Sequence, residues 1–322
     1  MCTRIMFQGD KAVMTARSMD WSRDLKSNLW VFPHGIARDG QVERNPLKWT
    51  SKYGNIVAAA FDIGTTDGMN EKGLTANLLW LAESKYPEWD GSKPGISIAV
   101  WTQYVLDNFA TVQEAVEAMR AEGFVIVTGG FPGQEELKAA LHLSISDPSG
   151  DSAIFEFIDG KLVVHHGRTF PVMTNSPVFD EQLALNVYWQ GIGGSVMLPG
   201  SSRAADRFVR ASYYASILPK NGEANAALAG LLSVIRNASV PIGVATAGQP
   251  NISSTLWRSV SDQTNQVYYF ETAHTPNTFW VDLKKFDLSA GAGTRRLELT
   301  GGQIHAGEVS SQFKPAEPFK IR

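Results

Sequence analysis

Residues 3–7 and 12–17 are two short runs flanking the polar turn Gln8-Gly9-Asp10-Lys11. That pattern predicts a β-hairpin. No other local feature constrains the chain as tightly, because antiparallel pairing returns residues 17–21 to the neighbourhood of position 2. The single cysteine of the chain, Cys2, lies there, directly after Met1. The hairpin therefore predicts that Arg17 and Asp20 lie close to Cys2.

Further apolar runs at 29–32, 56–61 and 74–81 are separated by Asp67-Gly68 and Asn70-Glu71-Lys72-Gly73, which read as tight turns. Residues 96–109 are helical in pattern, with Ile98, Trp101, Val105 and Phe109 on one face. Thr111-Val112-Gln113-Glu114 resembles a capping box that opens a second helix. Strands are predicted at 141–146, 153–158, 162–165 and 172–174, with Asp159-Gly160 as a hairpin turn. Helices follow at 179–189, 204–218 and 224–237, then strands at 255–261, 267–271 and 278–283. The Gly-rich, polar tail beyond Leu288 is expected to run over the surface. Strands and helices are segregated and hairpins dominate, which predicts an α+β fold of antiparallel sheets with helices packed outside. No repeat or low-complexity linker divides the chain, so residues 1–322 read as a single domain.

With 322 residues and 43% hydrophobic content the chain can bury a large core. Its formal net charge of −3 gives no support for a nucleic-acid partner. No stretch approaches the ~18 apolar residues of a membrane-spanning helix. One cysteine excludes an internal disulfide and a zinc–cysteine site. P-loop, G-x-G-x-x-G and G-x-S-x-G patterns are absent. Gly191-Ile192-Gly193-Gly194 reads as a structural loop. The six histidines form no H-E-x-x-H, and His165-His166 would face opposite ways in a strand. No metal and no cofactor are expected. No secretory signal is read at the start, which suggests a cytoplasmic protein, or a periplasmic one if an export signal has been removed.

Cys2 carries chemistry of its own. Removal of Met1 would place a free α-amine and a thiol on one residue, a nucleophile with its own base. Their ordinary pKa values, about 7.7–8.0 and about 8.5, put both near their working protonation states at pH 7–8. With Met1 attached, that base is locked in a peptide bond and the site should be inert.

Met1-Cys2-Thr3-Arg4 and Ala16-Arg17-Ser18-Met19-Asp20-Trp21 resemble the opening of the choloylglycine hydrolase family. These are N-terminal-nucleophile hydrolases that include penicillin V acylases and bile salt hydrolases. Asn70-Glu71-Lys72-Gly73-Leu74, Thr174-Asn175-Ser176-Pro177 and Asp206-Arg207-Phe208-Val209-Arg210 extend the resemblance, in the family's order, over most of the chain. The resemblance implies a four-layer αββα fold of two stacked antiparallel sheets.

It also implies site roles. Cys2 would attack an amide carbonyl and form a thioester. Arg17 would favour the thiolate, and Asp20 would orient the α-amine, although alone it reads as a turn or N-cap residue. Asn175 would donate its side-chain amide to the oxyanion. Arg207 matches a family active-site arginine, whose plain alternative is a structural ion pair. Trp80 stands where many bile salt hydrolases carry asparagine; the family uses that residue's backbone N–H as a second oxyanion donor. Trp21 and Trp80 would give aromatic walls for an apolar acyl group. The sequence around Trp80 is similar to the Gram-negative branch of penicillin V acylases, often also active on N-acyl homoserine lactones. The implied substrate is a small N-acyl amide. The alternatives are a conjugated bile salt hydrolase and a non-catalytic binding protein of the same fold. The family tends to homotetramers, and residues 188–202 would be a protruding contact segment.

Overall fold

The computed structural model describes residues 1–131 and 134–319. The predicted hairpin is present as β1 (Cys2–Gln8) and β2 (Val13–Asp20). Its register pairs Cys2 with Met19, Thr3 with Ser18 and Arg4 with Arg17. All of β2 and all but the last residue of β1 are buried. Such burial on both faces, polar residues included, is what an inner layer of a multilayer fold imposes.

Among the described residues two large sheets are formed. The seven-stranded one runs Val172–Met173, β1, β2, Thr255–Asp262, Val267–Thr272, Thr278–Asp282, Gly307–Glu308. The nine-stranded one runs Lys161–His166, Ser152–Ile158, Leu141–Ser146, Thr75–Trp80, Gly64–Asn70, Asn55–Ala60, Leu29–Phe32, Arg295–Leu297, Lys314–Pro315. Neighbours pair antiparallel, except that Gly307–Glu308 pairs parallel at one edge.

Helices α1 (Ile98–Asn108) and α2 (Val112–Arg120) cover the outer face of the nine-stranded sheet. Following α3 (Phe179–Ile192), α4 (Ala204–Ser216) and α5 (Ala224–Asn237) cover the outer face of the other. The result is the expected αββα order. α2 shows why: Val112, Ala115, Val116 and Met119 form one buried face, while the residues between are mostly exposed. Fully burying a side chain the size of Val116 or Met119 contributes roughly 1.5–3 kcal/mol. Thr111 caps α2, its Oγ1 accepting from the Glu114 N–H at 3.2 Å. Glu114 reaches back to the Ala110 N–H at 2.8 Å, one residue earlier than in a standard capping box.

Three expectations are corrected. Asp67-Gly68 is no turn; both residues lie inside the Gly64–Asn70 strand. Gly68 is there for close packing: a Cβ would lie 2.5 Å from the Ile56 carbonyl oxygen and 2.8 Å from Leu106 Cδ1 of α1. The tail beyond Leu288 is not merely superficial. Its short strands close edges of both sheets, and Leu297, Val309 and Phe313 are buried. Gly191 and Ile192 end helix α3 rather than form a loop, with Gly193 following in the left-handed region at φ 84°.

Candidate active site

The hairpin places Cys2, Arg4, Arg17 and Met19 on one face, looking toward the nine-stranded sheet. Arg17 Nη2 donates to the Leu78 carbonyl at 3.1 Å. The same nitrogen lies 3.7 Å from Cys2 Sγ and 3.3 Å from Met19 Sδ. The Arg17 guanidinium stacks over the Trp257 ring, with Cζ 4.5 Å from its centroid. Arg17 is directly opposite Arg4 rather than Cys2, and reaches the thiol diagonally.

The Cys2 peptide unit is held at both ends. Its N–H donates to Asn175 Oδ1 at 2.7 Å, and its carbonyl accepts from Arg207 Nη1 at 2.6 Å. Arg207 Nη2 also donates to Asn175 Oδ1 at 2.7 Å, and Nη1 to the Thr3 hydroxyl. Asn175 Nδ2 donates to the Trp80 carbonyl at 2.7 Å. Two donors on one atom and an acceptor at the other fix the orientation of the Asn175 amide. α4 aims Arg207 because Ala204, Arg207, Phe208 and Ala211 form its buried face, packed on β1. Burial pushes the Arg207 guanidinium below its ordinary value, against the opposing pull of Asp20 and Cys2.

Asp20 closes β2 beside the N-terminus, as the hairpin predicts. Its Oδ1 accepts from Thr255 Oγ1 at 2.6 Å, and Oδ2 is buried with no hydrogen-bond partner among the described residues. With Met1 in place, the α-amine belongs to Met1 and donates to the Asp20 backbone carbonyl at 3.0 Å. Burial pushes this amine below its ordinary value, while Cys2 and Asp20 pull the other way.

Trp21 and Trp80 stand 5.5 Å apart, tilted by 52°. With Met19, Leu25, Leu78 and Leu141 they line a narrow, almost wholly apolar pocket that reaches Cys2. Ala60, Thr66, Leu78 and Leu141 also line a larger cavity of about 580 Å³, which extends past Ile63, Ile98 and Val127 to Glu43 and Arg44.

Several contributors were not legible beforehand. Asp67 accepts from Tyr268, Ser259 and Asn77 and faces Arg17; reading Asp67-Gly68 as a turn hid it. His142, one of six unassigned histidines, bridges Glu156 Oε1 at 3.0 Å and the Thr174 carbonyl at 3.1 Å. Glu156 also accepts from the Phe179 N–H at the start of α3. The pair thus braces both sides of Asn175. Among the described residues no group of three or more His, Cys, Asp or Glu is arranged to hold a metal ion, and no helix is long and apolar enough to cross a membrane.

A thiol on the second residue, an arginine beside it and a clamped peptide unit, set in an αββα sandwich, define an N-terminal-nucleophile hydrolase. The chain belongs to the choloylglycine hydrolase family of linear amide C–N hydrolases, whose pattern matches residues 2–298. It is 52% identical over 345 residues to a penicillin V acylase of Pectobacterium atrosepticum, covering 99% of this chain and 92% of that one. A bile salt hydrolase/transferase of Clostridium perfringens is 27% identical over 317 residues, covering 89% and 94%. Among solved structures, the penicillin V acylase from Agrobacterium tumefaciens superposes with a TM-score of 0.93 at 56% identity, covering 100% of this chain and 99% of that one. A conjugated bile acid hydrolase variant from Clostridium perfringens shares the fold, with a TM-score of 0.79 at 23% identity over 94% and 99% of the chains.

Burial pushes the Glu156 carboxyl up, but the hydrogen bonds from His142 and the Phe179 N–H, with the nearby imidazoles, outweigh it and bring it down to about 2. A depressed carboxylate stabilises the fold above its unfolded value near 4.5 and loses that contribution as pH falls toward 2. Glu156→Gln should therefore lower stability at pH 7 by about 3 kcal/mol. Its denaturant-midpoint profile should also be flatter than the parent's between pH 4.5 and 2.

Proposed function

We propose that the protein, once Met1 is removed, hydrolyses penicillin V to phenoxyacetate and the free β-lactam amine, with Cys2 as nucleophile. The observation that carries this reading is the doubly held Cys2 peptide unit, with Arg17 at its thiol and an apolar pocket in front. The Cys2 thiol gives its proton to the α-amine and its sulfur bonds to the amide carbon. The oxyanion is met by the Asn175 amide and the Trp80 backbone N–H. The C–N bond then breaks, the α-amine hands its proton to the leaving nitrogen, and a thioester remains. Water, deprotonated by the same amine, attacks the thioester and the thiol is restored. Asp20 Oδ2, which has no hydrogen-bond partner among the described residues, is an acceptor that the new α-ammonium would satisfy. A buried amine also stays neutral at lower pH than an exposed one, which suits a general base.

Cys2→Ala should lose at least a thousandfold in kcat/KM for penicillin V while remaining folded. Acid-quenched parent protein should carry a phenoxyacetyl adduct by mass spectrometry. Full activity in the alanine variant would sink the mechanism. Release of taurine or glycine from conjugated bile salts, in preference to phenoxyacetate, would favour the bile salt reading instead; Trp80 in place of asparagine argues against it. Retention of Met1 with no thiol-dependent turnover would favour a binding protein.

The same site is proposed to cleave long-chain N-acyl homoserine lactones. The support is the 580 Å³ cavity that continues from the Cys2 pocket across Ala60, Thr66, Leu78 and Leu141, room for an acyl chain longer than phenoxyacetyl. Ala60→Leu, at the neck between the two spaces, should cut turnover of dodecanoyl homoserine lactone about tenfold more than that of penicillin V. Equal losses on both substrates would contradict this placement.

A homotetramer is proposed as the working assembly. Val187 and Tyr188 of α3, with Val196 and Met197 beyond it, form an apolar surface 56–81% exposed. Light scattering should give four times the chain mass, and Val196→Glu should lower it. An unchanged mass in that variant would place the contact elsewhere.

A further inference from the structure

Arg17 is a fully buried cation whose charge faces the thiol, and its Nε and Nη1 have no hydrogen-bond partner among the described residues. A buried guanidinium is costly, and a facing carboxylate offsets much of that cost. Among the described residues the one carboxylate within ion-pair distance is Asp67, whose Oδ2 lies 3.9 Å from Arg17 Nη1. Asp67 is itself fully buried on the adjacent sheet, so the pair bridges the two layers.

Asp67 is fixed from three sides. Tyr268 Oη donates to Oδ1 at 2.6 Å, Ser259 Oγ to Oδ1 at 3.1 Å and Asn77 Nδ2 to Oδ2 at 2.7 Å. None of these residues touches the substrate pocket. Building such a cradle deep between two sheets, where burial alone pushes the Asp67 carboxyl upward, makes sense only if the charge has a task.

We propose that Asp67 is a positioning residue for the reaction, holding Arg17 against Cys2 and tempering the positive field that reaches the thiol. This rests on the reading of Cys2 as nucleophile. A thiolate stabilised too strongly is a weaker nucleophile, because nucleophilicity falls with basicity. Arg17 paired to Asp67 favours the thiolate without trapping it. The other charged groups facing Cys2 are the α-amine, Asp20 of β2 and Arg207 of α4; those facing Asp67 are Arg17 and Tyr268.

The test is the pH dependence of alkylation by iodoacetamide in the full-length, Met1-free protein. Cys2 is the only thiol, so the rate reports it alone. Asp67→Asn keeps the volume, and Asn77 Oδ1, without a hydrogen-bond partner among the described residues, can accept from the new amide. Loss of the negative charge should move the alkylation midpoint down by about one pH unit. Tyr268→Phe, which removes one donor and makes the Asp67 carboxylate harder to keep charged, should move it the same way by less. A merely structural Asp67 would leave the midpoint where it was. An unmoved or raised midpoint in folded Asp67→Asn overturns the proposal, and if that variant does not fold, an unmoved midpoint in Tyr268→Phe does so. A parent Cys2 that resists alkylation at every pH would sink the nucleophile assignment and this inference with it.

Discussion

The grip on the Cys2 peptide unit is the constraint on which the site depends. A strand end normally leaves its N–H and C=O to water, but β1 begins inside the molecule, so both groups must be satisfied by protein. Asn175 and Arg207 do this from 173 and 205 residues away, and they also bond to each other. Three chain segments are thereby fixed around one residue before any substrate arrives. Groups preset in this way need no reorganisation during a reaction, which is where enclosed sites gain most over water.

The inner layer carries a second constraint. Arg4 and Arg17 sit directly opposite each other on neighbouring strands, an arrangement that repels. The fold separates their environments. Among the described residues Arg4 donates to the carbonyls of Phe170, Pro171 and Ile145, and burial pushes its guanidinium down to about 9. Arg17 has the Asp67 carboxylate, the Leu78 carbonyl and the Trp257 ring. Of the two, Arg17 is the one with a counter-charge among the described residues and the one beside the thiol. The excess of buried cations over carboxylates keeps the region around Cys2 electropositive, the setting in which a thiolate forms most readily.

How far the sequence revealed this depends on whether the governing physics is local. The β1–β2 hairpin is set by one turn and two runs, and its register alone brings Arg17 to Cys2. The buried face of α1, with Ile98, Trp101 and Val105, follows from 3.6-residue spacing and was legible for the same reason. Asn175 and Arg207 were not, since nothing local says that a turn asparagine and a helical arginine converge on position 2; only the family resemblance placed them. Asp67 was lost to a true statistical preference. Asp-Gly favours turns, but here the pressure of α1 on the sheet requires a glycine in mid-strand, and the layer between the sheets requires a carboxylate. The tail escaped because an edge strand of two or three residues has no periodicity to detect.

Trp80 shows how such a site separates chemistry from selection. Its carbonyl anchors Asn175, and in the mechanism we propose its N–H meets the oxyanion; both are backbone groups that any residue but proline at position 80 preserves. Its ring, paired with Trp21, shapes the apolar wall instead. A substitution at 80 can therefore change which acyl group fits while leaving the anchoring of Asn175 intact. The same division holds at Arg207, which grips the backbone of Cys2 rather than its thiol. Groups held by main-chain contacts tolerate drift in the walls around them, so a fold of this kind can keep one anchoring scheme while its pocket changes shape.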